Sequence, residues 1–259
     1  MIIVKVGGSV ICSGGLDKVV GDVEPGMVLI HGGGCLVNEV MGKMGIKPII
    51  LRHPNGYTSR YTDEEALKAY VMTMMYINKV IVSKLNARGL RAIGLSGADL
   101  TLFKARRKGK VLIIDDRGRE RVIDAGFSGR VEGVDVDALN MVLKMSDVVV
   151  LSPIVQSPQG ELLNIDGDQM VEALSLTLKP SNVVILTNVD GVLVNGKPVA
   201  KVNGVNLSEV LPHAVGGMRR KLEVAVKLAK AGIRVVIANG VRDKPIRAAL
   251  NGLGTVVEP

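Results

Sequence analysis

The sequence predicts an α/β protein with a mainly parallel central sheet sandwiched by helices. Short apolar runs alternate with helical patterns along the 259 residues, which is typical of such folds. The apolar runs are hydrophobic almost throughout, as expected for strands buried on both faces. Hydrophobic residues make up 47% of the chain, enough to fill one large core or two lobes.

The first two predicted strands each lead into glycines. Residues 2–6 run into Gly7-Gly8-Ser9, and residues 27–31 run into Gly32-Gly33-Gly34. A glycine pair after a strand is often only a tight turn. Two such loops at the same end of parallel strands, however, would lie along the sheet edge where α/β proteins bind ligands. With Lys5 beside bare backbone N–H groups, they predict a phosphate-binding site.

A hairpin or lid-like loop is predicted for residues 48–61, and a long helix follows it. Thr62 with Glu65 forms a capping-box pattern, which makes Thr62 the expected N-cap. The helix should continue to about Arg88 and stop at Gly89. Its wide, methionine-rich apolar stripe fits either a core face or a subunit interface, and the pattern does not decide between them.

Antiparallel hairpins are predicted after the third strand, residues 90–95. Short β runs separated by turns fill residues 101–131 and should lie over the N-terminal lobe. The first of these runs, here called the basic hairpin, carries five cations. A solvated turn that keeps a sheet edge soluble explains them, and so does a docking patch for an acidic partner. These cations are Lys104, Arg106, Arg107, Lys108 and Lys110.

Ligand-type side chains follow the next predicted helix and strand, residues 134–145 and 147–151. Asp166 precedes a helix, so capping explains it, yet together with Asn164 and Asp168 it also forms a plausible ligand set. The three residues surround the end of a β segment, and the two aspartates lie on either side of Gly167.

The C-terminal part repeats the strand-to-helix pattern. A strand over residues 183–186 leads into Thr187-Asn188-Val189-Asp190-Gly191, and a final core strand covers residues 235–238. Between them, Gly216-Gly217 starts a helix to Ala231 with three cations, residues 219–221, in its first turns. Cations there oppose the helix dipole, so the sequence indicates an anion-binding function instead of optimised folding.

Composition excludes several classes of protein. No apolar run reaches membrane-spanning length and no signal sequence is present, so a cytoplasmic protein is expected. Cys12 and Cys35 are the only cysteines and the three histidines are scattered, which predicts neither a disulfide framework nor a metal site. The net charge of +8 predicts an anionic partner or substrate. Because only 2% of residues are aromatic, a nucleotide or acidic protein is expected and nucleic acid is not.

Five motifs together resemble the amino acid kinase superfamily over the whole chain, and within it the acetylglutamate kinase branch. The closer resemblance is to the kinases of carrier-protein-dependent lysine and arginine biosynthesis, through Arg60-Tyr61-Thr62-Asp63, Gly217–Lys221 and Pro245–Leu250. The acetylglutamate enzymes typically have valine in the place of Tyr61. The five motifs are Val4-Lys5-Val6-Gly7-Gly8-Ser9, His31-Gly32-Gly33-Gly34, Asn164-Ile165-Asp166-Gly167-Asp168, Thr187-Asn188-Val189-Asp190-Gly191-Val192 and Gly217-Met218-Arg219-Arg220-Lys221.

The resemblance implies the amino acid kinase fold and ATP-dependent phosphorylation of a side-chain carboxylate. The substrate would be 2-aminoadipate and/or glutamate, linked through its amino group to the small acidic carrier protein LysW. Residues 1–179 would form the lobe for acyl-substrate binding and dimerisation, and residues 180–259 the ATP-binding lobe. Mg²⁺ would be carried by ATP, without a protein metal site.

The resemblance also implies roles for individual residues. Lys5 and Lys221 would stabilise charge on the transferring phosphoryl group and Asp168 would hold the lysines in place. Gly8 would present its N–H group with Gly33 and Gly34, which also contact the substrate. Arg60 and Asn164 would bind the α-carboxylate and amide region of the substrate. The nucleotide pocket would be lined by Thr187, Asn188, Asp190, Gly191, Val192 and Met218.

Several alternatives remain at this stage. Within the class, the rival is an N-acetylglutamate kinase that acts on the free acetylated amino acid. UMP and isopentenyl phosphate kinases share the glycine loops, but phosphorylated substrates do not explain Arg60 with Asn164. A non-catalytic ligand sensor and an RNA-binding role for the basic hairpin are the rivals from other classes. Because the first strand begins at Ile2, without the N-terminal helix that interlocks arginine-inhibited acetylglutamate kinases into hexamers, a homodimer paired through the long helix is expected.

Overall fold

The computed structural model describes residues 1–259, and strands and helices alternate along most of the chain. Its helices are α1 (Gly8–Cys12), α2 (Leu16–Gly21), α3 (Gly34–Lys43), α4 (Glu64–Ala87), α5 (Val136–Met145), α6 (Gly167–Leu178), α7 (Leu207–Val210), α8 (Gly216–Lys230) and α9 (Pro245–Leu250). Its strands are β1 (Ile2–Val6), β2 (Met27–His31), β3 (Ile50–Arg52), β4 (Thr58–Arg60), β5 (Ala92–Ser96), β6 (Phe103–Arg107), β7 (Lys110–Ile114), β8 (Glu120–Asp124), β9 (Gly129–Val134), β10 (Val148–Ser152), β11 (Ile154–Gln156), β12 (Leu162–Asn164), β13 (Asn182–Thr187), β14 (Leu193–Val194), β15 (Lys197–Pro198), β16 (Lys201–Val202), β17 (Arg234–Asn239) and β18 (Thr255–Val257).

The central sheet has eight strands in the order β16-β18-β17-β13-β1-β2-β10-β5. Every neighbouring pair in it is parallel except β17 with β18. All six long strands predicted from the sequence lie in this sheet, which confirms the predicted fold class. Because β1 lies between β13 and β2, the segments that follow these three strands emerge side by side at one edge.

The core consists of two clusters, one on each face of the sheet. Ile3 belongs to the cluster of 32 buried residues and its neighbour Val4 to the cluster of 26 on the other face. This alternation explains why the strands read as continuous apolar runs: both faces of each strand are covered by helices.

Of the predicted hairpins, β7 with β8 is present, and the loop over residues 48–61 forms the β3–β4 hairpin. The run from Lys104 to Lys110, still called the basic hairpin here, is not a hairpin: β6 pairs with β9 and β7 with β8, so this run connects two different sheets. β3 also pairs with β7, through Arg52 and Ile114, so both hairpins share the sheet β4-β3-β7-β8. The strands β6 and β9 belong to a second sheet, β12-β11-β6-β9. Asn164, at the end of β12, thereby lies on the same small sheet as β6, which carries Lys104, Arg106 and Arg107.

The long helix ends as predicted but begins one residue later than expected. The prediction of Thr62 as its N-cap was wrong, because Asp63 is the cap and its carboxylate accepts a 2.8 Å hydrogen bond from the N–H of Ala66. Thr62 is fully buried, and its carbonyl accepts the N–H of Phe127. This β-type contact keeps Thr62 extended. Neither this helix nor any other is both long and apolar enough to cross a membrane.

The sequence indicated no disulfide, and this prediction was wrong. Cys12 and Cys35 form a disulfide, with Cα atoms 6.6 Å apart. Cys12 ends the helix after β1 and Cys35 lies in the first turn of the helix after β2. The pairing of two adjacent parallel strands brings them together, which a separation of 23 residues in the sequence does not reveal.

Candidate active site

A buried triad of charged side chains lies below the glycine loops. Asp168, in the first turn of α6, contacts Lys5 of β1 through Oδ1 at 2.9 Å and Lys221 of α8 through Oδ2 at 3.2 Å. Its side chain is 4% exposed, and those of Lys5 and Lys221 are 7% and 15% exposed. Three residues that are far apart in the sequence therefore form one connected group in which a single carboxylate orients two ammonium groups.

The triad carries one uncompensated positive charge. Burial alone would raise the pKa of Asp168, but the two lysines outweigh it and lower this pKa to about 2. The charge of Lys5 and then burial lower the pKa of Lys221. Burial also acts against the charged form of Lys5, but Asp168 and Asp166 outweigh it and raise that pKa. The net positive charge of the triad therefore favours binding of a further anion, such as a phosphoryl group.

The two glycine loops touch each other through their backbones. A Cβ atom on Gly8 would lie 3.0 Å from the N of Gly33 and 3.2 Å from the N of Gly34. Any side chain there would fill the space in front of these N–H groups. The helices that start at these loops have Gly7 and Gly33 as N-caps, and neither N-cap provides a side-chain hydrogen bond. Their first N–H groups can therefore bind an anion.

A cavity of about 760 Å³ opens above the loops. Arg60 of β4 lines it and donates a 2.9 Å hydrogen bond to the carbonyl of Gly34, and burial lowers its pKa. Asn164 lines it as well, with its amide nitrogen donating to the hydroxyl of Thr62 at 3.0 Å. The structure thus brings together six of the predicted site residues in the cavity wall, namely Lys5, Gly8, Gly33, Gly34, Arg60 and Asn164.

The β3–β4 hairpin, the first of the two alternatives predicted for residues 48–61, reaches across this cavity. The hydroxyl of Tyr57 donates to Oδ2 of Asp166 at 3.4 Å. The same oxygen lies 3.8 Å from Nε of Arg220 in α8. Asp166 also caps α6 as predicted, through Oδ1 and the N–H of Asp168. Tyr57 is a cavity residue that the sequence reasoning missed, since the contact joins positions 109 residues apart.

The cations at the start of α8 are all paired, which accounts for their unfavourable position relative to the helix dipole. Arg219 pairs with Glu223 at 3.2 Å, Arg220 approaches Asp166, and Lys221 reaches Asp168. The start of α8 thus places cations at the candidate site. The cations that oppose the helix dipole in the sequence are therefore the ones that lie at this site.

The predicted nucleotide residues lie beside this cavity and not in its wall. Thr187 ends β13, next to β1, so it shares the sheet edge with the glycine loops. Asp190 accepts hydrogen bonds from Asn239 at 3.0 Å and from Arg242 at 2.8 Å. Val192 is fully buried in the core and can therefore contribute only backbone. Met218 packs against that core, and Asn188 and Gly191 lie in the loop after β13.

Gly191 has a conformational reason to be glycine. Its φ is +145°, and a Cβ atom would lie 2.5 Å from the hydroxyl of Thr255. The backbone of this loop therefore lies directly against β18, and the N–H of Val192 donates to the same hydroxyl at 2.8 Å. This contact fixes the loop beside β13.

A second cavity, of about 670 Å³, adjoins the first and is strongly basic. Lys108, Gln169 and Arg220 line both cavities. Glu172 is the only acidic residue in the second cavity's wall, against seven cations. Lys108, Lys110 and Arg130 form no ion pair, and burial lowers the pKa of Lys108. The cations are Arg106, Arg107, Lys108, Lys110, Arg130, Arg220 and Lys227.

The fold and the site define a class of protein. Two glycine loops lie at the carboxyl edge of a parallel sheet, above a buried Lys–Asp–Lys triad. Their free N–H groups can hold a phosphoryl group, and the lysines can stabilise negative charge that develops on it. Such positioning and charge stabilisation account for most of the catalysis in phosphoryl transfer.

Comparisons with known proteins agree with this class. The profile of the amino acid kinase family matches residues 1–239. A protein from Saccharolobus islandicus named a [LysW]-aminoadipate/[LysW]-glutamate kinase is 40% identical over 262 residues, covering 99% of both chains. A protein from Caldivirga maquilingensis that carries this name provisionally is 69% identical over 258 residues, covering 100% of both chains. The chain therefore belongs to the amino acid kinase family, and it is a phosphotransferase.

A solved structure supports the fold. N-acetylglutamate synthase from Neisseria gonorrhoeae, in complex with coenzyme A and N-acetyl-glutamate, superposes with a TM-score of 0.80 at 23% identity. The superposition covers 100% of this chain and 59% of the synthase chain.

Proposed function

We propose that this chain catalyses the ATP-dependent phosphorylation of the side-chain carboxylate of 2-aminoadipate and/or glutamate carried by LysW, in lysine and/or arginine biosynthesis. The observation that carries the proposal is the buried contact of Asp168 with both Lys5 and Lys221, directly below a cavity that Arg60 and Asn164 line. The triad fits the phosphoryl group, and the guanidinium with the amide fits a substrate carboxylate. The names of the relatives from Caldivirga and Saccharolobus support the choice of substrate.

The protein needs to position the reactants more than to activate the nucleophile. A glutamate-like carboxylate has a pKa of about 4.3 and is ionised at neutral pH, so no general base is required. Arg60 and Asn164 orient the substrate so that its carboxylate oxygen attacks the γ-phosphorus in line. Lys5 and Lys221 stabilise the negative charge on the transferring group, and the N–H groups of Gly8 and Gly33 hold its oxygens. The product is an acyl phosphate.

The residues present fit ATP with Mg²⁺ bound to its phosphates. No group of three or more His, Cys, Asp or Glu side chains in the structure could hold a metal ion by itself. The ion would thus be held chiefly by phosphate oxygens, as is usual for Mg²⁺ at nucleotide sites, and would reduce the negative charge of those phosphates. In this proposal residues 180–259 bind the nucleotide, including Thr187, Asn188, Asp190, Gly191, Val192 and Met218, and residues 1–179 bind the acyl substrate.

The second cavity supports an acidic carrier as the partner. Three cations without ion pairs, Lys108, Lys110 and Arg130, line this cavity, and Lys108 also lines the adjoining reaction cavity. An acidic protein seated there would bring its attached substrate to Arg60. Of the two explanations left open by the sequence, docking is favoured because a solvated turn does not require cations from β9 and α8 to gather beside the basic hairpin.

Charge reversal in this cavity tests the docking. The double variant Lys110→Glu with Arg130→Glu is expected to raise the KM for carrier-linked substrate by about tenfold, with kcat unchanged, because two rim charges together contribute about 1–2 kcal/mol. The effect should fade as salt is added, since exposed charges are screened. Lys230→Glu, an exposed lysine of α8 outside both cavities, is the matched control. An unchanged KM at low salt would contradict docking at this cavity.

Trapping of the product tests the function itself. Acyl phosphate is captured with hydroxylamine as the hydroxamate, and free N-acetylglutamate and N-acetylaminoadipate are compared with carrier-linked glutamate and aminoadipate. Activity with the carrier-linked acids only is expected, and their ratio assigns the pathway. Robust activity with free N-acetylglutamate would identify an N-acetylglutamate kinase instead. Nucleotide binding without hydroxamate from any acid would identify a ligand sensor.

A homodimer is the proposed assembly, paired along the β5 edge. β5 is the last strand of the central sheet, with α4 on one face and α5 on the other. Although most of the α4 stripe is buried in the core, Met72 and Tyr76 are 53% and 69% exposed, and Met141 and Met145 of α5 are 57% and 72% exposed. Exposed apolar side chains on both sides of an open strand edge indicate an interface.

Tyr76→Glu is expected to dissociate this dimer, because a charge would be buried in an apolar contact. Sedimentation equilibrium should give twice the chain mass for the unmodified protein and the single chain mass for the variant. Val205→Asp, which alters a side chain that is 88% exposed outside this face, should remain dimeric. A monomeric or hexameric unmodified protein would contradict the proposal.

A further inference from the structure

The disulfide joins the two helices that follow the glycine loops. Cys12 is the last residue of α1 and Cys35 the second residue of α3. The Sγ atom of Cys35 lies 3.4 Å from the carbonyl oxygen of Gly8. The Cα separation of 6.6 Å is within the usual range for disulfides. The bond therefore connects the two halves of the phosphate-binding backbone directly beside the reaction cavity.

Apart from the N–H of Gly7, which donates to the carbonyl of Leu186 at 3.0 Å, few contacts hold the first of these halves. Helix α1 has five residues, of which only Val10 is buried. It starts without a side-chain cap and is followed by Gly14, with φ +74°, and Gly15. The lack of caps frees N–H groups for an anion but also removes the local hydrogen bonds that would fix the loop. Segments with so few buried contacts open easily.

We propose that the Cys12–Cys35 disulfide is a positioning element of the phosphoryl-transfer site. It keeps the N–H group of Gly8 at a fixed distance from those of Gly33 and Gly34, so that all of them meet the same phosphoryl oxygens. This inference rests on the proposed function of the site. Displacements of about 1 Å can lower a rate by about 10²-fold. We expect about a tenfold effect here, because the backbone bond from Gly32 to Val6, at 2.8 Å, remains after reduction.

Both cysteines are exposed, so the bond is accessible to a dithiol reagent. A reagent thiolate attacks one sulfur, forms a mixed disulfide and releases the other cysteine as a thiolate. The second reagent thiol then displaces the first cysteine. Two electrons pass to the protein, two protein thiols form, and the reagent leaves as its own disulfide.

The experiment begins with thiol counting in denaturant. Protein handled without reductant should show no free thiol, and two per chain after dithiothreitol. Two free thiols before reduction would overturn the inference. Next, kcat and KM are measured for the oxidised protein, the reduced protein and the variants Cys12→Ser and Cys35→Ser. All assays are run at one temperature, far below the lowest Tm of the four proteins.

The reduced protein and both variants should have about one tenth of the oxidised kcat, with KM for the acyl substrate within about twofold. Arg60 contacts the carbonyl of Gly34 in α3, and the buried residues Val37 and Met41 hold α3 in place without the disulfide. Reoxidation should restore the unmodified protein and leave both variants unchanged. Loss of a disulfide also lowers Tm, by about 5–10 °C for a chain of this size. A lower Tm with unchanged kcat would show a purely structural bond and overturn the inference. Failure of the oxidised protein to form any acyl phosphate would instead contradict the proposed function.

Discussion

Alanine in place of Lys5 or Lys221 is expected to lower kcat by about 10²- to 10³-fold, the usual effect of removing one preorganised donor from a developing anion. Each lysine is held by one oxygen of Asp168, at 2.9 and 3.2 Å, so its ammonium group is placed before the substrate arrives. Neither change should raise the KM for the acyl substrate greatly, because the substrate carboxylate is assigned to Arg60 and Asn164.

The measurement is steady-state hydroxamate formation, with single-turnover experiments to separate chemistry from product release. Lys43→Ala is the matched control, because it removes a lysine that is 73% exposed and paired only with Glu39 on the surface. Near-normal turnover in either lysine variant would refute the role assigned to that residue. A rise in the KM for ATP with kcat unchanged would instead mean that the lysine binds ground state and transition state equally.

Local pattern and spacing were enough to predict the frame of the molecule. The runs that became β1, β2 and β13 are apolar because both of their faces are covered, and this property is visible in the sequence alone. The parallel order then requires that Lys5, Gly33 and Thr187 lie near one edge. This pattern pointed to Lys5, Lys221 and Asp168 as a phosphoryl-transfer set. The roles of Arg60, Asn164 and the nucleotide-binding residues came instead from the resemblance to the amino acid kinase superfamily, and neither source gave their contacts.

What the sequence did not reveal depends on contacts between distant segments. The Cys12–Cys35 bond and the contact from Tyr57 to Asp166 join residues that no local pattern relates. The second cavity was not predicted. The sequence indicated only the contiguous cations of the basic hairpin, whereas Arg130 and Lys227 reach the cavity from other elements. The choice between Thr62 and Asp63 as helix cap depended on a backbone contact to a distant loop.

Asp168→Asn is expected to have the largest combined effect, since it acts on both lysines and on the fold. Asparagine occupies nearly the same volume but carries no charge, so two buried ammonium groups would lose their common counterion. Removing one partner of a buried ion pair destabilises a protein by about 3–5 kcal/mol. We expect kcat to fall by about 10³-fold, because the lysines lose their orientation and their pKa values fall toward neutral forms.

Urea unfolding measures the loss in unfolding free energy, and Asp135→Asn is the matched control variant. Asp135 is the N-cap of α5, its carboxylate accepts a hydrogen bond from Ala138, and asparagine caps helices about as well as aspartate. The control should therefore lose less than about 1 kcal/mol and keep its activity. An Asp168→Asn protein as stable and active as this control would contradict the account of the triad.

The pH dependence of stability separates the charge of Asp168 from its packing. Its pKa is about 2 in the folded protein, whereas an unfolded chain has the ordinary value near 3.9. Because the folded pKa is the lower one, the ionised carboxylate stabilises the fold above about pH 4, and this stabilisation is lost as the pH falls to about 2. The asparagine variant has no such loss. The difference in unfolding free energy between the two proteins should accordingly narrow between about pH 4 and pH 2, and a difference that stays constant across that window would attribute the loss to packing alone.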